Sequence, residues 1–142
     1  STQRIRATDF LMKAPSNSIL LMAPISMGEL VDKITILRIK RQCLTGRPLA
    51  NVCRELEALE QVLSSSGVAL APADVEELSS VNRSLWDIED RIREYEHSKC
   101  FDHSFIELAR SVYLRNDERA AIKRRINQAS CSLMVEEKAY AS

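Results

Sequence analysis

From residue 26 onward, apolar residues recur at alternating spacings of three and four, which marks amphipathic helices. Four such stretches are separated by turn residues. The first starts at Ser26, with Glu29 three residues later as a capping box; it carries Leu30, Ile34, Leu37 and Leu44, widened by Val31, Ile36 and Ile39. Gly46 and Pro48 end it. The second runs from about Pro48 to Ser65 or Ser66 on a seam of Leu49, Val52, Leu56, Leu59 and Leu63, with Gly67 as the expected C′ residue. Pro72 opens the third, capped near Asp74. Its seam is the most regular: Leu78, Val81, Leu85, Ile88, Ile92 and Tyr95, with Trp86 just beside it. After a turn through Ser98–Phe101, Asp102 caps the fourth, and Phe101 and Ile106 are placed for a hydrophobic staple. Phe105, Leu108 and Val112 begin its seam, and Ile122 and Ile126 resume it. Beyond Ser130, the tail with Leu133, Met134 and Val135 either continues as helix or unravels.

Before residue 26 there is no helical period. Ser18 to Ile25 reads as an extended stretch, one β-strand at most, and a lone strand is not stable in water. It must lie on the helical body or pair with another copy. This divides the chain into an extended arm, 1–25, and one helical domain, 26–142. Seams of this kind imply antiparallel hairpins packed near 20° in an all-α, four-helix bundle-like fold. They also favour a homodimer, because two hairpins bury more together than one alone. Trp86 is expected in the core, its indole N–H bonded to a polar partner.

Composition narrows the class. The 142 residues hold only three glycines and four prolines, too few for the turns of a β-sandwich or barrel. Lys+Arg and Asp+Glu both number 20, which argues against a general nucleic-acid binder. The charges are nonetheless segregated. Lys33, Arg38, Lys40, Arg41, Arg47 and Arg54 form a run without an acidic residue, while Asp74 to Glu96 holds eight carboxylates against three arginines. Such segments usually pair or solvate their own faces. The longest apolar run near the start, Ile19 to Ala23, is too short for a signal peptide core or a membrane span. The expectation is a cytoplasmic protein with no membrane partner.

The four cysteines are scattered without a C-x-x-C, as for free thiols in a reducing compartment. His97-x-x-Cys100-x-x-His103 is a weak zinc pattern, with Glu94 as a strained fourth ligand. Serine-nucleophile, P-loop, G-x-G-x-x-G and H-E-x-x-H motifs are absent. Three polar clusters carry whatever chemistry exists: Glu29, Asp32 and Lys33 on the first helix; Asp87, Asp90 and Glu94 beside Trp86 and Arg93 on the third; Arg110, Tyr113, Asn116, Asp117 and Lys123 on the fourth. Glu29 and Asp32 facing Asp87 and Asp90 could hold Mg²⁺ through oxygen ligands, as all-α nucleotide pyrophosphohydrolases do.

The fourth seam has a break. Continuing it from Val112 brings Arg115 and Arg119 to inward positions, and neither can be buried unpaired. The plainer expectation is a kink or end at Asn116-Asp117 that returns both arginines to solvent. The alternative is a continuous helix in which Arg119, with Arg110 or Lys123, meets Glu29, Asp32 or Asp90 inside a polar pocket.

The strings Ile25-Ser-Met-Gly-Glu-Leu-Val-Asp-Lys-Ile-Thr-Ile-Leu37, Leu85-Trp-Asp-Ile-Glu-Asp90, Leu108-Ala-Arg-Ser-Val-Tyr113 and Asn116-Asp-Glu-Arg-Ala120 resemble an uncharacterised family of short bacterial proteins. The resemblance covers residue 24 to about 140; its pattern carries Gly where this chain has Cys131 and Ser where it has Ala139. It implies a compact helical fold and company with sugar-transferring enzymes of cell-surface polysaccharide assembly, but no activity, cofactor or catalytic residue. The leading reading is a non-enzymatic helical module that dimerises and binds a protein partner without a cofactor. The rivals are an Mg-dependent hydrolase of nucleotides or nucleotide sugars, and a phosphate or small-ligand binder using the basic first helix.

Overall fold

The computed structural model describes residues 18–132 and 137–139. Four helices follow one another: α1 (Met27–Cys43), α2 (Gly46–Ser65), α3 (Pro72–Ser98) and α4 (His103–Ala129). No strand occurs among the described residues. The expected all-α bundle of antiparallel hairpins is therefore the fold, with one asymmetry. α1 is the hub: it packs on α2 through one face and on α3 and α4 through another, while α2 packs on α1 and on no other helix.

Two apolar clusters record this. Leu30, Ile34 and Leu37 meet Val52 and Leu56 between α1 and α2. Val31 meets Leu78, Ile122 and Ile126 among α1, α3 and α4, and Met27 touches both clusters. Leu30, Val31, Ile34, Leu37 and Ile39 of α1 are all buried, so apolar residues face neighbours on more than one side of this helix, and Asp32 and Thr35 are buried among them.

Several boundaries differ from the sequence reading. Gly46 opens α2 rather than closing α1, two residues before Pro48. Ala71, not Asp74, is the N-cap of α3; Asp74 is drawn instead into an ion pair with Arg125 at 2.8 Å. Gly67 does follow α2 in the left-handed region. Asp102 does cap α4, its Oδ1 accepting from the Phe105 amide at 3.0 Å. Phe101 and Ile106 are both about half exposed; the Phe101 ring packs edge-on against Phe105, with centroids 5.1 Å apart.

Most consequentially, α4 runs unbroken through Asn116 and Asp117 to Ala129. The kink expected there is absent because Arg119 has an inward partner, described below. Trp86 is only partly buried, against the expectation of a core position. The side-chain hydrogen bonds from α1 to α3 go to Asn82 and Arg83, before the position of Trp86.

Residues 18–25 form neither helix nor strand, and Leu20 and Ile25 are 40% and 39% exposed. Ile19 and Leu21 are 85% exposed and Met22 82%. Leu133, Met134 and Val135 lie outside the described residues. α4 closes in a Schellman-type turn: the Ser132 amide donates to Asn127 O at 2.9 Å, with Cys131 at φ 54°. A left-handed residue with a Cβ costs about 1–2 kcal/mol relative to glycine. Cys131→Gly is expected to stabilise the protein by about 0.5–1 kcal/mol, after the larger unfolded-state entropy of glycine is offset. Urea denaturation measures it, and no gain would mean that the turn is unstrained.

Candidate functional site

The junction of α1 with α4 is built from both ends of sequence. The amides of Met27, Gly28 and Glu29 have no partner within their own helix. They donate respectively to Ser132 Oγ at 3.2 Å, Asn127 Oδ1 at 2.7 Å and Ser26 Oγ at 3.1 Å. Ser26 thus does half of the expected capping box. The Glu29 carboxylate reaches instead across to α4, where Lys123 Nζ donates to it at 2.7 Å. The two helices cross closely because Gly28 has no side chain; a Cβ there would stand 2.5 Å from the Lys123 carbonyl oxygen.

One turn further along α1, Asp32 is buried at 1% exposure. Arg119 grips it with two parallel bonds, Nε to Oδ1 at 2.9 Å and Nη2 to Oδ2. Asn82 Nδ2 on α3 donates to Asp32 Oδ1 and to Thr35 Oγ1, both at 2.9 Å, while Thr35 Oγ1 donates to Asp32 O at 2.8 Å. Lys123 Nζ lies 3.9 Å from the second carboxylate oxygen. The spacing explains the match: Glu29 and Asp32, three apart, face Lys123 and Arg119, four apart, on an antiparallel helix. No buried side-chain nitrogen or oxygen among the described residues lacks a hydrogen-bond partner.

Burial would push the Asp32 carboxyl up, but the hydrogen bonds from Arg119 and Asn82 and the charges of Arg119 and Lys123 outweigh it and hold the carboxyl below its ordinary 3.8. An acid so firmly ionised is a weak general base near neutral pH. Its chemistry is that of a fixed negative charge.

With this geometry in place, comparison with known proteins adds one finding. A sequence model of a family of unknown function, DUF6165, matches residues 21–142. The chain belongs to that family. No curated protein and no solved structure matches it.

Arg119 and Lys123 of this DUF6165 chain also line a groove of about 250 Å³. Val112 and Ala120 contribute its apolar part, Tyr113 and Asn116 stand beside them, and Lys138 enters from the returning chain. Asn116 Oδ1 accepts from Arg119 Nη1 at 3.4 Å. Lys138 Nζ pairs with Asp117 at 2.7 Å. Of the residues singled out in sequence, Glu29, Asp32, Tyr113, Asn116, Asp117, Arg119 and Lys123 thus converge at or beside one place.

The others do not. Lys33, Asp87, Asp90, Arg93 and Arg110 are exposed; Arg93 pairs with Glu89, and Arg110 with Glu107. Asp87 and Asp90 therefore do not join Glu29 and Asp32 in an Mg²⁺ site, and the E-x-x-D carboxylates are matched by two cations instead. Among the described residues, no three His, Cys, Asp or Glu side chains gather as a metal site. That includes His97, Cys100 and His103, which sit at an ordinary helix–helix junction where Lys99 takes the left-handed C-cap. No described helix is long and apolar enough to cross a membrane.

Sequence reasoning missed Thr35, Asn82, Asn127, Ser132, Lys138 and the role of Gly28. Asn82 had a signal, since it falls between Leu78 and Leu85 at inward spacings of four and three.

Proposed function

We propose that this chain is a non-enzymatic helical module that acts by association, first with a second copy of itself. The observation that carries the reading is the apolar surface of residues 18–25. Ile19, Leu20, Leu21, Met22 and Ile25 fall within seven positions, and each is at least 39% exposed. Scattered exposed apolar side chains are ordinary, but a contiguous set marks an interaction surface. The outer part of the α3–α4 hairpin adds Phe101, Ile106, Tyr113 and Leu114, each 50–53% exposed.

Charge favours a second copy as the partner. Among the described residues, no ion pair joins the basic run on α1 and α2 to the acidic run on α3. Arg38 pairs with Glu60, Arg125 with Asp74 and Glu77, and Arg93 with Glu89. Exposed Lys33, Arg41 and Arg47 of one copy are thus available to exposed Asp87, Asp90 and Glu94 of another. The family resemblance makes a sugar-transferring enzyme of polysaccharide assembly the first different protein to test for mixed assembly.

Deleting residues 1–23 tests the reading. Light scattering of the full chain should give about twice 16.1 kDa, with a melting temperature that rises with protein concentration. The truncated protein should shift toward monomer. A full chain that stays monomeric at high concentration, or a truncation with unchanged mass and melting temperature, would overturn the role of the arm.

A further inference from the structure

Surfaces of opposite charge meet where the end of α1 touches α3. Arg83 on α3 donates to Gln42 Oε1 near the end of α1, and α2 opens soon after at Gly46. On one side of that hydrogen bond stand Lys40, Arg41 and Arg47. On the other, starting one helical turn beyond Arg83, Asp87, Asp90 and Glu94 follow at spacings of three and four, which puts them in one exposed stripe along α3. Among the described residues, none of these six takes part in an ion pair; the nearest pairs are Arg38 with Glu60 and Arg93 with Glu89.

A positive and a negative surface side by side make a self-complementary patch. A twofold axis passing near Gln42 and Arg83 lays the cations of each copy on the carboxylates of the other, and the contact made twice closes as a dimer. An outside polyanion suits the place less, because the carboxylates beside the cations repel it. Trp86 belongs to the same side of α3, three residues after Arg83 and four before Asp90. It is only partly buried. A tryptophan offers a large rigid surface whose face attracts arginine and lysine, and such residues carry much of the energy of protein interfaces. Docking of a basic surface therefore gives the incompletely buried Trp86 a role that the core does not.

We infer that a second copy docks at this place, Arg41 and Arg47 of each copy meeting Asp87 and Asp90 of the other, with Trp86 as the aromatic anchor. The inference rests on the self-association proposed above and adds a charged contact to the apolar arm. The two are compatible in one dimer. The 17 residues of α1 span about 25 Å, and the eight residues 18–25 reach about as far when extended.

Trp86 is the only tryptophan of the chain, so its emission reports on this contact. On dilution of the full chain, the mass by light scattering should fall and the emission should move to longer wavelength together. Raising salt from about 0.1 M to about 1 M shortens the screening length from about 10 Å to about 3 Å and should weaken the dimer about tenfold. The apolar contact through the arm is not weakened in this way. Arg41→Glu/Arg47→Glu and Asp87→Lys/Asp90→Lys change only exposed side chains. Each pair should weaken the dimer about tenfold or more by like-charge repulsion, with the helical circular dichroism unchanged. An equal mixture of the two variants should restore the dimer mass and the emission, because both contacts again join opposite charges. A mixture that stays monomeric, or a dimer indifferent to both pairs of substitutions, would overturn the docking while leaving self-association intact. Emission that does not change as the dimer dissociates would overturn it as well. A full chain that is monomeric at every concentration would overturn it together with self-association, and a shift of that monomer's emission with polylysine would give the acidic stripe to a different basic partner. If either reversed variant fails to fold, Arg41→Gln/Arg47→Gln and Asp87→Asn/Asp90→Asn replace them, and unchanged affinity in both would overturn the docking.

Discussion

Replacing Asp32 with alanine is expected to cost about 3–5 kcal/mol, the usual penalty for breaking a buried ion pair from one side. The loss does not come from the carboxylate alone. Without it, Arg119 has lost its bidentate partner, Asn82 keeps only its bond to Thr35, and Lys123 retains Glu29 on a half-buried edge. A double-mutant cycle with Arg119→Ala isolates the pair, because the two residues share one bidentate contact. A coupling of at least about 2 kcal/mol is expected from denaturation curves. Additive effects of Asp32→Ala and Arg119→Ala would show that the pair contributes nothing beyond its separate packing. Charge reversal gives an independent reading: Arg119→Glu should unfold the domain, and Asp32→Arg in the same chain should partly restore it.

The same carboxylate sets an acid limit. Its folded pKa lies below the unfolded value near 3.8, so its stabilising contribution is complete above that value. It is lost as pH falls through the lower, folded pKa, where the network must take up a proton. In Asp32→Asn, stability should already be reduced at neutral pH and should fall less steeply on acidification. Identical acid limbs in both proteins would mean that other carboxylates govern acid unfolding.

Gly28→Ala is expected to destabilise the protein by about 2–4 kcal/mol. Helix propensity alone predicts the opposite sign, since alanine is favoured over glycine by about 1 kcal/mol inside a helix. The crossing decides against propensity. The new Cβ would stand 2.5 Å from the Lys123 carbonyl oxygen, 3.1 Å from its carbon and 3.0 Å from Asn127 Oδ1. Two of those atoms are backbone, which cannot rotate away, so α1 must move off α4 by most of an ångström. That movement strains the overpacked contact and stretches the Gly28–Asn127 and Glu29–Lys123 bonds. An alanine variant as stable as the parent, by thermal or urea denaturation, would show that the helices separate easily.

Much of this architecture was legible from residue spacing. The seams at Leu30–Leu37, Val52–Leu63, Leu78–Tyr95 and Leu108–Ile126 located four helices and their inward faces, because burial of an apolar stripe imposes a 3.6-residue period. The caps at Ser26 and Asp102 were equally local, each satisfied within three residues. Even the anomaly at Arg119 was visible as a charge on the buried stripe. Its resolution was not local. Whether α4 kinks or continues depends on a carboxylate 87 residues away, and no nearby residue records that distance. The same holds for Gly28, which reads as a poor helix former until α4 is placed across it. It holds also for Glu29, which resembles a capping residue but goes to Lys123. Sequence alone determined which positions of each helix are apolar and where most helices start, since those choices are settled by hydrogen bonds and burial within a few turns. Only the tertiary structure decided that α1 is the hub and that Asp87 and Asp90 remain in solvent. It also decided that Asp32, Asn82, Arg119 and Lys123 form one network, because the pairing of distant charges is set by how the helices cross.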